Sequence, residues 1–204
     1  MKKMMLTAVA VMAFAFSNAQ EVKFGVKGGI NLHTLTGDVE NESPKVGFQV
    51  GGFAEIKISD KFSVQPEILF STQGAKFEES NSLVSTKDNT CLSYLNVPVM
   101  AKFYVVEKFS LEAGPQIGFL LAAKSKYETK SEVFGSESGD EDIKKDFESI
   151  DFGVNFGAGY DFTENLSVGL RYNLGLSNIA KVEAGDEKFS VKNSVFALSV
   201  GYKF

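Results

Sequence analysis

Phe196-Ala197-Leu198-Ser199-Val200-Gly201-Tyr202-Lys203-Phe204 alternates a large apolar side chain with a small or polar one and ends on a phenylalanine. Successive side chains of a strand point to opposite faces. The pattern therefore predicts a strand with Phe196, Leu198, Val200, Tyr202 and Phe204 on one face and Ala197, Ser199, Gly201 and Lys203 on the other. One strand leaves both its edges unpaired, so a sheet requires the pattern to recur.

Eight such stretches run from Val22 to Phe204. The first sets Val22, Phe24, Val26, Ile30 and Leu32 against Lys23, Gly25, Lys27, Gly29 and Asn31. The second sets Val46, Phe48, Val50, Ala54 and Ile56 against Gly47, Gln49, Gly51 and Glu55, and the third sets Phe62, Val64, Ile68 and Phe70 against Ser63, Gln65, Glu67 and Ser71. The fourth sets Leu95, Val97, Val99, Ala101 and Phe103 against Tyr94, Asn96, Pro98, Met100 and Lys102. The fifth and sixth carry Leu111, Ile117 and Phe119, then Phe152, Val154 and Phe156, and the seventh carries Leu166, Val168, Leu170 and Tyr172 against Gly169, Arg171 and Asn173. Short turns at Ser59-Asp60-Lys61, Val106-Glu107-Lys108 and Thr163-Glu164-Asn165 alternate with polar loops after Leu32, from Lys76 to Asn89, and from Ser125 to Ser149. Each stretch is long enough to cross a bilayer as a tilted strand, which takes ~9–11 residues.

The orientation of the two faces separates a soluble ligand-binding barrel from a membrane barrel. The first hides its apolar face inside, whereas the second turns it to lipid around a polar lumen. Most of the 19 glycines fall on the polar face, among them Gly25, Gly47, Gly114, Gly157 and Gly201. A water-facing sheet would carry Lys, Glu and Thr there, whereas small residues suit a cramped interior. Eight strands enclose a space just wide enough for side chains to fill, and lipid tolerates no unpaired strand edge. The expected fold is all-β: an eight-stranded antiparallel up-and-down transmembrane β-barrel.

The chain starts with Lys2 and Lys3, an apolar run from Met4 to Phe16, and the small residues Ser17-Asn18-Ala19. This reads as a signal peptide over 1–19, cleaved before Gln20, with the barrel domain over 20–204. The run is too short for a membrane-spanning helix, which needs ~20 apolar residues. Removing its two lysines takes the net charge from −5 to about −7, which argues against nucleic acid as a partner. The single cysteine, Cys91, lies near an expected strand end and has no partner for an internal disulfide; a pair between chains is the alternative to a free thiol.

Tyr94-Leu95-Asn96-Val97-Pro98-Val99-Met100-Ala101-Lys102-Phe103, Ala113-Gly114-Pro115-Gln116-Ile117-Gly118, Asp151-Phe152-Gly153-Val154-Asn155-Phe156-Gly157 and Arg171-Tyr172-Asn173-Leu174-Gly175-Leu176 resemble the recurring motifs of the PorT-like outer membrane β-barrel family of Bacteroidetes-type bacteria. The likeness spans nearly all of the chain after the signal, with Asn96 standing where the family's strand often has an acidic residue. It implies a barrel in the outer membrane of a Gram-negative cell. Tyr202 and Phe204 at the end of the last strand resemble the signal read by the barrel-assembly machinery, and they equally suit an aromatic girdle.

On the polar face, Lys102 and Glu112 flank one short turn at nearly equal distance and should face each other in the lumen. Glu67 is expected on the next strand and Arg171 across from it, with Glu55 on the same face. Pairing keeps such ions in a dry interior; an ion path is the functional alternative. The in-strand prolines Pro66, Pro98 and Pro115 cannot donate to a ladder and are expected to mark bulges or bends.

In the loop from Ser125 to Ser149, Glu128, Glu132, Glu137, Asp140, Glu141, Asp142, Asp146 and Glu148 outnumber Lys126, Lys130, Lys144 and Lys145. Asp140, Glu141 and Asp142 could meet a partner or weakly hold a cation, but they lack the spacing of a dedicated calcium loop. A solvated surface loop is the expectation. The only histidine, His33, falls in the first loop without a nucleophile beside it, and no Walker loop or metal-spaced cluster occurs. The sequence implies no cofactor, metal or catalysis. The expected function is a non-enzymatic outer-membrane barrel, embedded in outer-membrane lipid, whose long loops serve surface interaction or which accompanies envelope or secretion machinery, with a surface or periplasmic protein as partner; the alternative is a narrow porin for small solutes or ions.

Overall fold

A computed structural model describes residues 21–38, 42–80, 84–131, 135–181 and 189–204. The expected signal peptide lies outside them. Among the described residues the strands are β1 (Glu21–Gly37), β2 (Glu42–Ser59), β3 (Phe62–Ser80), β4 (Val84–Val106), β5 (Phe109–Ser131), β6 (Gly135–Asp142), β7 (Ile150–Asp161), β8 (Leu166–Gly175) and β9 (Val191–Lys203).

All pairings between these strands are antiparallel, and all but β6 close into a ring. Closure runs through β1 and β9, with Ile30 opposite Leu198 and Val26 opposite Tyr202. The Phe204 amide donates to the Phe24 carbonyl at 2.9 Å, extending that seam to the last residue. The result is the eight-stranded barrel that the alternation demands, because every backbone edge within the ring finds a neighbour.

The apolar face points outward. Phe24, Ile30, Val46, Phe48, Ile68, Phe156, Leu170 and Phe196 are all exposed, whereas Asn31, Glu67, Asn96, Lys102 and Arg171 are buried. An apolar belt of this extent exceeds the few hundred Å² that a soluble monomer exposes, and lipid is the solvent that suits it. Near the short-turn end it carries aromatic pairs, Tyr160 on Phe162 at 5.0 Å and Tyr202 on Phe204 at 5.6 Å between ring centroids.

Three expectations are corrected at the opposite end. Among the described residues the segment from Lys76 to Asn89 is paired strand rather than loop, with Lys76 opposite Asn89 and Ser80 opposite Ser85. The stretch from Ser125 to Ser149 holds the end of β5, all of β6 and a 3-10 turn over Lys144–Asp146. His33 lies within β1, fully buried, rather than in a loop. Past the bilayer both faces of a strand meet water or loops, so apolar alternation stops while pairing continues. β4 and β5 have 23 residues each, more than twice what a bilayer crossing takes.

Pro66, Pro98 and Pro115 do not mark register shifts. Pro66 pairs with Val99 and Leu69 with Asn96 at one offset, Pro98 with Gln116 and Ala101 with Ala113 likewise, and Pro115 sits in the unbroken β5–β7 ladder. One β4–β5 shift lies instead beyond the apolar belt, where Ser93 pairs with Ala122 and Tyr94 with Leu120. The β2–β3 ladder shifts between Pro44 and Gln49. There His33 of β1 reaches β3, and its Nδ1 lies against the Gly74 backbone, whose N–H donates to it.

Candidate functional site

The lumen is built in three tiers. Nearest the short turns is a charge network whose members come from strands far apart in the chain. The Arg171 guanidinium on β8 binds both oxygens of Glu67 on β3, at 2.9 and 3.0 Å, and its Nη2 also donates to Glu112 on β5 at 3.0 Å. Lys27 on β1 and Gln65 donate to Glu67 Oε1 at 2.8 and 2.7 Å. Lys102 on β4 reaches Glu55 at 3.1 Å and Glu112 at 3.7 Å. Lys203 on β9 joins Glu55 at 3.0 Å and Asp161 at 3.1 Å, while the Tyr104 hydroxyl donates to Glu55 at 2.7 Å.

Glu55, Glu67, Lys102, Glu112 and Arg171 are thus brought together, and Lys102 stands directly opposite Glu112 in the β4–β5 register. Lys27, Lys203, Asp161 and Tyr104 complete the network. Without them the five charges are unbalanced; with Lys27, Lys203 and Asp161, cations and anions match. Parity had already put both lysines on the polar face, since Lys27 and Lys203 alternate with Val26 and Tyr202, but it could not name their partners across the lumen. Glycine makes the space: a Cβ on Gly159 would stand 2.8 Å from Glu112 Oε1, and one on Gly157 2.5 Å from the Leu170 carbonyl oxygen.

The middle tier is uncharged amide and hydroxyl. Asn31 donates to Ser71 at 2.8 Å, Asn173 to Asn155 at 3.1 Å and Asn155 to Gln116 at 3.2 Å. Little space is left. The two internal cavities beside Arg171 have volumes of about 20 Å³ each, room for roughly one water apiece. The short-turn end opens into a vestibule of about 770 Å³, lined by Glu55, Tyr104, Asp161 and Lys203 and by Lys23, Lys57 and Lys108 at its rim.

The third tier closes the other end. Asn193 donates to Asp151 at 2.7 Å, the Ser177 hydroxyl donates to the same carboxylate at 2.7 Å, and His33 Nε2 meets Asn193 Oδ1 at 2.9 Å. With Asn193 Nδ2 committed to Asp151, its Oδ1 accepts from His33, which assigns the proton to Nε2. Serine, aspartate and histidine are close here, but the serine proton points at the aspartate and the histidine is joined through an amide. That order keeps the imidazole away from the hydroxyl, so the three do not form a serine–histidine–aspartate relay.

Above this tier sits an apolar plug. Leu35, Ala75, Leu92, Leu120, Ala123, Ile179 and Val191 form one buried cluster, with Ile143 and Phe147 packed on it. Two connections are stitched together over the mouth: Glu148 N–H donates to the Ile179 carbonyl at 2.8 Å and Lys181 N–H to the Asp146 carbonyl at 2.9 Å. The sequence carries no periodic signal for this, because single apolar residues in polar connections look like solvated loop.

Asp140, Glu141 and Asp142 lie on β6, opposite Lys126, Ser125 and Lys124 of β5, and all three are exposed. Consecutive strand residues point to opposite faces, so the three carboxylates do not converge. Among the described residues no group of His, Cys, Asp or Glu is placed to hold a metal. Tyr202 and Phe204 are exposed at the short-turn end of the closing seam. Cys91 lies within β4, half-buried, where its Sγ accepts from Lys45 Nζ at 2.7 Å.

Among solved structures, the attachment invasion locus protein Ail of Yersinia pestis, in complex with the heparin analogue sucrose octasulfate, superposes with a TM-score of 0.51 at 20% identity, covering 91% of this chain and 100% of Ail. Neisserial surface protein A superposes with a TM-score of 0.52 at 16% identity, again covering 91% of this chain and 100% of that one. At these identities the likeness shows the fold. No curated protein sequence matches the chain. The family model described as "Outer membrane protein beta-barrel domain" matches residues 17–181, most of the ring strands included, and the chain belongs to that outer-membrane barrel family.

Proposed function

We propose that the protein is a non-enzymatic, non-conducting integral barrel of the outer membrane, exported by its N-terminal signal, whose protruding β3–β6 sheet meets a partner outside the cell. The observation that carries this reading is the contrast between the two ends of the molecule. The lumen is packed with neutralised charge and capped by the apolar plug, whereas β3, β4, β5 and β6 extend well past the belt with side chains exposed on them, Lys76, Lys126, Tyr127 and Asp140 among them. Short turns face the periplasm and long segments face out in barrels of this class.

The named attachment role of Ail is compatible with such a layout, though the reading rests on this chain's own protruding strands. Within the family, the PorT-like motifs favour an envelope- or secretion-associated partner, and Tyr202 and Phe204 serve the assembly machinery. The narrow-porin alternative would need the Arg171 network to open, and two cavities of about 20 Å³ give it no path.

Single-channel recording of the folded chain in planar bilayers tests the closed lumen, with heat-dependent gel mobility reporting folding. A silent folded barrel is expected, and discrete conductance steps would replace this reading with the porin. A variant lacking 128–138, cut back to the Lys126–Asp140 pair, should fold yet lose surface-dependent phenotypes; if it keeps them all, the interaction role fails.

A further inference from the structure

We propose that Lys45, Lys76, Lys124 and Lys126 form a binding site for the phosphate groups of an outer-leaflet lipid. The argument starts from register. Gly74 of β3 pairs with Cys91 of β4, Cys91 with Lys124 of β5, Lys76 with Asn89, and Asn89 with Lys126. Paired residues share a face, and these rows continue the outward face of Ile68 and Val99; on β5 the register shift between Ala122 and Leu120 carries that face from Leu121 to Lys124 and Lys126 while Ala123 and Ser125 are buried. Lys124 and Lys126 therefore stand on the lipid-side face, just past the shift at Ser93/Tyr94 where the apolar belt ends.

Lys45 joins them from β2, where its backbone pairs with the inward-facing His33 and only its ammonium crosses β3 to reach the patch. Its ammonium donates to the Thr90 carbonyl at 3.0 Å and to Cys91 Sγ at 2.7 Å, which places it beside the Cys91–Lys124 pair. Gly74 makes the crossing possible. It has no side chain, sits at φ +142°, and a Cβ there would come 1.9 Å from the Thr90 carbonyl oxygen that Lys45 uses. Lys76, Lys124 and Lys126 are exposed and, among the described residues, in no ion pair with a carboxylate. Asp142 and Asp140 of β6 stand directly opposite Lys124 and Lys126 on the same face, outside ion-pair distance of them.

Position selects the occupant. Lys76, Lys124 and Lys126 lie beyond Leu121, at the height where the strands leave hydrocarbon and long ammonium side chains reach the headgroup layer. They are also confined to β2–β5: on the next strands round the ring, Thr34 and Thr36 of β1 and Ser194 of β9 occupy the matching belt edge, with Lys192 as the ammonium there. A general girdle would surround the barrel, whereas a cluster on β2–β5 describes a site for one anionic headgroup. Lysines near a charged membrane surface each strengthen binding about fivefold.

The chain folded in detergent micelles is titrated with a diphosphorylated glycolipid, its dephosphorylated form, and soluble inositol hexaphosphate, with bound lipid counted by native mass spectrometry. The Lys45→Gln/Lys76→Gln/Lys124→Gln/Lys126→Gln variant should lose affinity for the phosphorylated lipid at least 100-fold, while Lys23→Gln/Lys57→Gln/Lys61→Gln/Lys108→Gln at the opposite end should change it less than threefold. Equal losses in both variants, equal retention of the dephosphorylated lipid, or lysine-dependent binding of the soluble polyanion without the lipid would each overturn the proposal. If the fourfold variant shows no folded form by gel mobility, the exposed pair Lys76→Gln/Lys126→Gln carries the same test, with a 10-fold loss expected and an unchanged affinity overturning it.

Discussion

Arg171 and Glu67, 104 positions apart in the chain, form a two-pronged ion pair across the barrel axis, Nη1 to Oε2 at 2.9 Å and Nη2 to Oε1 at 3.0 Å. Neither residue is on a neighbouring strand of the other. The pair ties β3 to β8 through the lumen, a link that no backbone hydrogen bond in the ring can make.

Breaking that pair leaves a buried charge without its main partner. Arg171→Met should destabilise the folded barrel by about 3–5 kcal/mol, read as a fall in the urea midpoint of refolded protein in vesicles. The double change Glu67→Leu/Arg171→Met should cost less than the sum of the two single changes, because it removes both charges together. An additive double mutant would mean the two do not act as a pair.

Gly159 faces Glu112 so closely that a Cβ would sit 2.8 Å from Oε1, and a side chain there must push that carboxylate away from Arg171 and Lys102. Gly159→Val should cost about 1–3 kcal/mol by overpacking. Gly28, where a Cβ would meet nothing closer than the Gln49 carbonyl oxygen at 3.9 Å, provides the control, and Gly28→Ala should leave the urea midpoint close to that of the parent chain.

Ile179 is fully buried in the plug, and its carbonyl accepts the Glu148 N–H. Ile179→Ala should cost about 2–5 kcal/mol, most of it spent locally. Hydrogen exchange should show the Glu148 and Lys181 amides losing protection while the β1–β9 seam keeps its own. Equal loss at both places would show that the plug and barrel unfold as one unit.

Opening the lumen is the complementary experiment. Arg171→Ser with Glu112→Ser and Ile179→Ser removes the widest side chains of the charge network and one anchor of the plug. Discrete conductance steps should appear in this variant and be absent from the parent. A folded triple variant that stays silent would mean that the amide tier around Asn155 and Asn173 is itself a barrier.

The sequence by itself determined the eight strands of the ring, their faces and their order. Alternation is a local property, so Phe196 through Phe204 could be read without knowing any neighbour, and the short turns made consecutive strands partners. The same logic placed Lys102 against Glu112, because two residues equidistant from a tight turn must meet. What lay beyond one hairpin was decided by tertiary structure. Which side chains touch across the axis depends on the stagger with which the barrel closes, so Arg171 could be assigned to the lumen but not to Glu67 and Glu112, and Lys27 and Lys203 went unpaired in the linear reading. The plug escaped for a different reason: Ile143, Phe147 and Ile179 are isolated apolar residues in polar segments, and only closure of the ring brings their two connections over the same opening. The extended hairpins escaped because period two is plain only where one face meets lipid, and above the membrane the outer faces of β4 and β5 carry polar residues such as Asn89, Lys124 and Lys126.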